Sequence, residues 1–413
     1  MRCGTININR KKSLIRSDEL DKIAIDDMKH KSKIRTGFSE FSKELYQNTK
    51  NKILKELNAD EDDWTNAKWQ LKNRISDADE ILKYTALSDE EYENIKKVSK
   101  DYRFAITPYY FSLIDFNNMK CPVKLQSIPD IKELDEFGQL DPMNEEQSNP
   151  AGKITRRYPN KLIINVTNAC PMYCRHCQRR RLIGNTDKNS SKKYIDESLE
   201  FIEKHETIRE VLVTGGDALL LPNNRLEDIF NRLSQISHVE VIRIGTRVLS
   251  TLPFRIDNDL AGLLRKYKVQ VATQFNHACE ITPEAVSAID KLVDRGVLVR
   301  NQMVLLHDIN DDKYCIQKTN EELQKYRVIP YYLFHPKDVK STKHFQVDIS
   351  KGLEIMKHLE GRTSGMCKPT YVYNSPGGLG KVPLVPIENI NREKNKYILT
   401  TWENKIITKD FKY

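Results

Sequence analysis

Hydrophobic positions change their spacing twice along this chain. Across residues 37–101, Phe38, Phe41, Leu45, Ile53 and Leu57 recur at roughly helical intervals, with Lys and Glu on the other faces. Helices are expected there. Ser88-Asp89-Glu90-Glu91 has the form of a capping box and predicts a helix that opens here and ends near Tyr102. From 118 to 160 periodicity is lost, and Pro122, Pro129, Pro142, Pro150 and Pro159 interrupt the chain. An extended connector is expected. From 160 onwards, short runs rich in β-branched residues alternate with helical segments. The runs are Leu162–Val166, Glu210–Thr214, Val239–Ile244, Val269–Phe275, Leu298–Leu306 and Val328–Phe334. Segments such as Asp196–His205 and Pro283–Arg295 lie between them. Near-continuous apolar strands separated by helices indicate parallel strand–helix units. Six units predict an α/β fold built on a partial, TIM-like (β/α)6 barrel, and chemistry is expected where its strands end. The expected division is a helical region at 1–117, the barrel with its lead-in at 118–345 and a small α+β segment at 346–413.

Composition narrows the class. Of 413 residues, 39% are AVILMFWYC and 30% are charged, enough apolar surface for a core. No apolar run approaches the roughly 18–20 residues that span a bilayer. No secretory core is evident at the N-terminus, so neither a membrane anchor nor a signal peptide is expected. The net charge of +9 raises nucleic-acid binding as one reading. Most basic residues are interleaved with acids, however. The exception, 1–35, carries Arg2, Arg10, Lys11, Lys12, Arg16, Lys29, Lys31, Lys33 and Arg35 and is expected to be a solvated, partly ordered arm. Eight cysteines are too sparse for a disulfide scaffold. A cytoplasmic protein with one thiolate site fits that usage.

Three of those cysteines cluster. Cys170, Cys174 and Cys177 fall within eight residues, directly after the first strand. Three thiolates so spaced can converge on one metal centre. A zinc site would need a fourth ligand, for which His176 is available. A four-iron cluster held by three cysteines keeps one iron open to a ligand. Thr214-Gly215-Gly216-Asp217 ends the second strand, and glycine there permits close backbone approach to a ligand. Near the C-terminal end, Pro376-Gly377-Gly378-Leu379-Gly380-Lys381 is no phosphate loop, because the spacing fails and Val382 follows the lysine. A lysine on a glycine hinge could instead bond pyridoxal phosphate, provided burial or neighbouring cations lower its pKa.

The cysteine spacing, with Tyr173 and His176, resembles the radical S-adenosylmethionine superfamily, and the Gly215-Gly216 pair fits it. Further residues are similar to lysine 2,3-aminomutase. They include Arg157-Tyr158-Pro159, Gly245-Thr246-Arg247, Asn301-Gln302, Pro330-Tyr331-Tyr332, His344-Phe345, Thr363-Ser364-Gly365 and Pro376 to Lys381. The likeness runs from about Ile106 to Pro386. It implies a [4Fe-4S] cluster on Cys170, Cys174 and Cys177, with S-adenosyl-L-methionine on its open iron. It further implies pyridoxal 5′-phosphate as an aldimine on Lys381, with Arg157 at the phosphate. Gly215, Gly216, Asp217, His176 and Gln302 would face S-adenosylmethionine, and Arg179 would grip the substrate α-carboxylate. A homo-oligomer and an electron donor such as flavodoxin or ferredoxin are implied as well.

Departures from the family point to the substrate. Lysine-acting members hold the distal ammonium with two aspartates. The first position, six residues after Tyr331 and seven before His344, is Lys337 here; the second is Asn374. A cation and an amide would repel an ammonium and suit a second carboxylate. The chain is therefore most similar to the glutamate 2,3-aminomutase subgroup and is expected to make β-glutamate through a 5′-deoxyadenosyl radical. The runner-up is lysine 2,3-aminomutase, with Asp338 restoring the anion. From another class, a zinc or nucleic-acid-binding protein is the alternative. The family's second phosphate-side arginine is Lys161 here, and a family tyrosine is Phe334. The tail from Trp402 to Tyr413 lacks the cysteines that hold zinc in lysine-acting relatives.

Overall fold

The computed structural model describes residues 2–385, 390–393 and 396–409. Pro386, where the family likeness ends, and the last four residues of the expected C-terminal segment lie outside them. Strands β1 (Ile154–Tyr158), β2 (Lys161–Thr167), β3 (Glu210–Gly215), β4 (Val241–Gly245), β5 (Gln270–Thr273), β6 (Val299–Val304), β7 (Ile329–Phe334), β8 (Thr370–Ser375) and β9 (Gly380–Pro383) form one sheet in sequence order. Strands β2 to β8 are parallel, with antiparallel β1 and β9 at the two edges. All six expected strands are present. Helices Lys192–Glu203, Asn223–Gln235, Asn258–Lys266, Pro283–Val293, Lys313–Lys325 and Ile349–Leu359 each return the chain between successive parallel strands. Strands β10 (Ile390–Glu393), β11 (Lys396–Thr400) and β12 (Ile406–Lys409) form a separate antiparallel sheet.

Burial along the strands shows what the barrel encloses. Ile164, Val211, Val213, Ile244, Val271 and Val299 are fully buried beneath the helices. The alternate residues Ile163, Asn165, Leu212, Gln302 and Val304 are only part-buried and, with buried Thr214, line a cavity. Strand pleating sends neighbouring side chains to opposite faces. Here one face builds the core and the other builds the chamber.

The N-terminal half departs from expectation in two places. The segment read as a partly ordered arm is a continuous helix, Arg2–Lys31. Ion pairs Asp27–Arg362 and Lys31–Glu321, both 2.7 Å, and His30 stacked on Tyr314 fasten its end to the barrel. The segment read as an extended connector contains a short helix, Pro122–Ser127, and strand β1. Pro122 sits at the first helical position, where its missing N–H costs nothing. Strand β1 has only five residues, two of them arginines, so it lacks a legible apolar period. The helices expected in 37–101 are present, and the Ser88–Glu91 capping box opens helix Asp89–Ser99. Beyond 345 the sheet continues into β8 and β9, so the segment carrying Lys381 is continuous with the barrel.

Candidate active site

One cavity of about 850 Å³ opens at the C-terminal ends of the strands. Every candidate residue read from the sequence lines it: Cys170, Cys174, Cys177, His176, Arg157, Arg179, Gly215, Gly216, Asp217, Gln302, Lys337, Asn374 and Lys381.

The cysteine loop leaves β2 and is clamped from outside. Arg175 donates to both oxygens of buried Glu133, at 2.9 and 2.6 Å, and Arg180 donates to the same carboxylate. Arg74 donates to the Cys170 carbonyl at 2.7 Å. Burial alone would raise the Glu133 pKa, but the two guanidiniums outweigh it and lower it. Removing one partner of a buried ion cluster costs about 3–5 kcal/mol. Glu133→Gln is therefore expected to lower the urea midpoint of unfolding sharply. A change under about 1 kcal/mol would assign this clamp no structural weight.

Gly215 shows why the second strand must end in glycine. Its φ is +134°, and a Cβ there would lie 2.3 Å from the Thr167 carbonyl oxygen. The turn after β3 therefore packs directly on the chain leading to Cys170. The buried Asp217 carboxylate serves this turn: it accepts from Thr246 Oγ1 at 2.7 Å and from the Arg247 amide at 2.6 Å.

The donor set fits an iron–sulfur cluster. Cys170, Cys174 and Cys177 are free thiols sharing one wall, and Arg247 points NH1 at Cys174 Sγ from 2.8 Å. Burial and the neighbouring thiols raise Cys170 well above an ordinary thiol and Cys177 to about 11. Iron would displace those protons. Among the described residues no three such groups converge on a single-ion site. A four-iron cluster does not need that, because each thiolate binds a separate iron. His176 donor–acceptor contacts run through Nε2 to Gln274 and Asn276, at 3.2 and 3.4 Å, while Nδ1 is buried without a partner. Burial, with Arg247 adding to it, keeps this imidazole neutral.

Strands β8 and β9 pair Asn374 with Lys381, so both side chains leave one face of the hairpin. Gly378, at φ +77°, brings the connecting turn onto Arg157, whose Cδ would lie 3.0 Å from a Cβ there. Lys381 Nζ lies between the rings of Tyr158 and Tyr332, 5.4 and 5.3 Å from their centroids. Burial, then Lys161, Arg243 and Arg157, lower this ammonium to about 8. About a tenth is then neutral at pH 7, which suits covalent capture of an aldehyde. The buried Asn374 Nδ2 has no partner.

Lys337 points into the cavity and donates to Gln178. Asp338 is exposed and lies outside the lining. Burial, with Arg179 and Arg157 beside it, lowers Lys337 to about 7. Arg179 reaches the same space from the cysteine loop. Sequence reasoning gave no role to Gln178, Glu145, Arg181 or Arg247, although Arg247 stands in the Gly245-Thr246-Arg247 segment already singled out. The first three lie in stretches without period, and only contact in three dimensions gives them a role.

Residues 164–315 match the family described as the radical SAM superfamily, and 356–410 match the family described as lysine-2,3-aminomutase. Glutamate 2,3-aminomutase of Clostridioides difficile (strain 630) is 50% identical over 397 residues, covering 96% of this chain and 94% of that protein. L-lysine 2,3-aminomutase of Fusobacterium nucleatum is 41% identical, covering 87% and 85%. That of Clostridium subterminale is 42% identical, covering 84% of each.

Proposed function

The chain belongs to the radical S-adenosylmethionine aminomutases, the family of lysine and glutamate 2,3-aminomutases, and on that premise we propose that it moves the amino group of L-glutamate from C2 to C3. The product is β-glutamate. The protein is an isomerase, and its cofactors are a [4Fe-4S] cluster, S-adenosyl-L-methionine and pyridoxal 5′-phosphate. When bound, they supply hydrogen abstraction at C3 and stabilise the migrating nitrogen.

The chain's own residues bind and orient. Cys170, Cys174 and Cys177 hold the cluster. Gly215, Gly216, Asp217, neutral His176 and Gln302 form the S-adenosylmethionine side. Lys381 holds the pyridoxal group and Arg157 its phosphate. Arg179 grips the α-carboxylate. Lys337 and the Asn374 amide hold the distal carboxylate, and the enclosing strands keep water from the reacting carbons. One observation carries the choice of substrate: the cavity presents Lys337, while Asp338 faces solvent. The test incubates the reduced, loaded enzyme with each amino acid and separates the β-isomers. Turnover of lysine but not glutamate would refute the assignment.

A pH dependence follows. Lys337 binds a carboxylate only when protonated, and its free-site value is about 7. The glutamate KM should be flat below pH 7 and rise about tenfold per unit above it. Lys337→Arg, charged throughout, should flatten that limb in steady-state assays between pH 6 and 8.5.

We infer three further properties. A homo-oligomer and a one-electron donor such as flavodoxin or ferredoxin are read from the family alone. A reducing, cytoplasmic location suits the free thiols. No helix among the described residues is long and apolar enough to cross a membrane.

A further inference from the structure

The cavity that should receive a dicarboxylate already contains a carboxylate. Glu145 is buried and lines the chamber. It comes from the proline-rich stretch before β1, and the reaction as described gives it no part. Arg179 donates to it twice, Nε to Oε2 at 3.1 Å and NH2 to Oε1 at 2.9 Å. Arg157 stands farther off, at 3.8 Å, as does Arg181, at 3.6 Å, whose nearer partner is Asp141 at 3.0 Å. Three guanidiniums thus surround one buried anion.

A guanidinium has two edges that can each take a carboxylate in parallel bonds. Glu145 occupies the Nε–NH2 edge of Arg179. The NH1 atom makes no hydrogen bond among the described residues, and it is absent from the buried atoms that lack partners. The NH1–NH2 edge is therefore left to the chamber. We propose that Glu145 is a positioning residue: it holds one edge of Arg179 so that the other meets the α-carboxylate of the amino-acid substrate. It has a second effect. Without it, Arg157 and Arg179 would face each other with no shared counter-ion, and Arg179 would lose its orientation.

The proposal rests on Arg179 as the α-carboxylate grip, yet not on which amino acid is isomerised, because every candidate carries that carboxylate. The test uses Glu145→Gln, which keeps the shape and removes the charge, and Glu145→Asp, which keeps the charge. Substrate affinity is read in two ways. One is KM and kcat for the amino acid the wild type turns over. The other is the dissociation constant from the change in pyridoxal absorbance, without S-adenosylmethionine or reductant. Glu145→Gln is expected to raise KM and the dissociation constant together, roughly ten- to hundredfold, with kcat within about threefold and iron and pyridoxal contents unchanged. Glu145→Asp should recover part of the affinity. An unchanged dissociation constant in Glu145→Gln would overturn the proposal. So would a joint fall of kcat and cofactor content, which marks a purely structural role. Wild-type turnover of lysine alone would sink the glutamate reading while leaving this comparison intact. An Arg179→Lys variant with unchanged affinity would remove the grip, and this proposal with it.

Discussion

Lys337→Asp is expected to abolish glutamate isomerisation, lowering kcat/KM by about a thousandfold or more. The substitution sets a carboxylate against the substrate's distal carboxylate inside the chamber. Like charges so juxtaposed cost several kcal/mol, and about 1.4 kcal/mol is one factor of ten. Combined with Asn374→Asp, the same change should make the site accept an ammonium, and β-lysine should form from L-lysine. Chromatography of the amino-acid products decides both. Asp338→Asn is the control: this side chain is exposed, so both activities should stay at the wild-type level. Retention of glutamate turnover within tenfold in Lys337→Asp would move the distal carboxylate to another part of the cavity.

Lys381→Ala should remove activity by at least about 10,000-fold, since it deletes the nucleophilic amine. It should also leave the protein without retained pyridoxal absorbance after gel filtration. The cavity explains why no neighbour substitutes. Lys381 packs against two tyrosine rings, and Lys161, which is not among the residues lining the cavity, lies 4.8 Å from the centroid of one of them, Tyr158. The cysteines belong to the loop after β2, which is held by contacts of its own, Arg247 on Cys174 and Arg175 on Glu133, so iron and sulfide contents should equal the wild type, separating a site lesion from misfolding. A variant that still holds pyridoxal covalently would transfer the role to another amine.

Much of this was legible in one dimension. The six parallel strands announce themselves because a strand buried beneath helices needs β-branched residues in a continuous run. The cysteine motif and the glycine-hinged lysine are legible because each works within a dozen residues. Strands β1, β8 and β9 were missed for the converse reason. They are short edge or late strands, and β1 carries Arg156 and Arg157, of which only Arg157 lines the cavity. The helix Arg2–Lys31 was read as an arm because its polar sequence gives no apolar stripe.

By itself, then, the chain determined the barrel class, the family and the set of residues that carry charge and sulfur. Local rules suffice there: strand pleating, helical period and close ligand spacing are short-range. Only the tertiary structure decided which of two adjacent residues, Lys337 or Asp338, enters the cavity. Only it brought Glu145 to Arg179 from 34 residues away and set Lys381 opposite Asn374. Those outcomes depend on the register of β8 with β9 and on the curvature that brings β1 near β9. Both arise from packing summed over the whole sheet, and no local stretch of sequence encodes them.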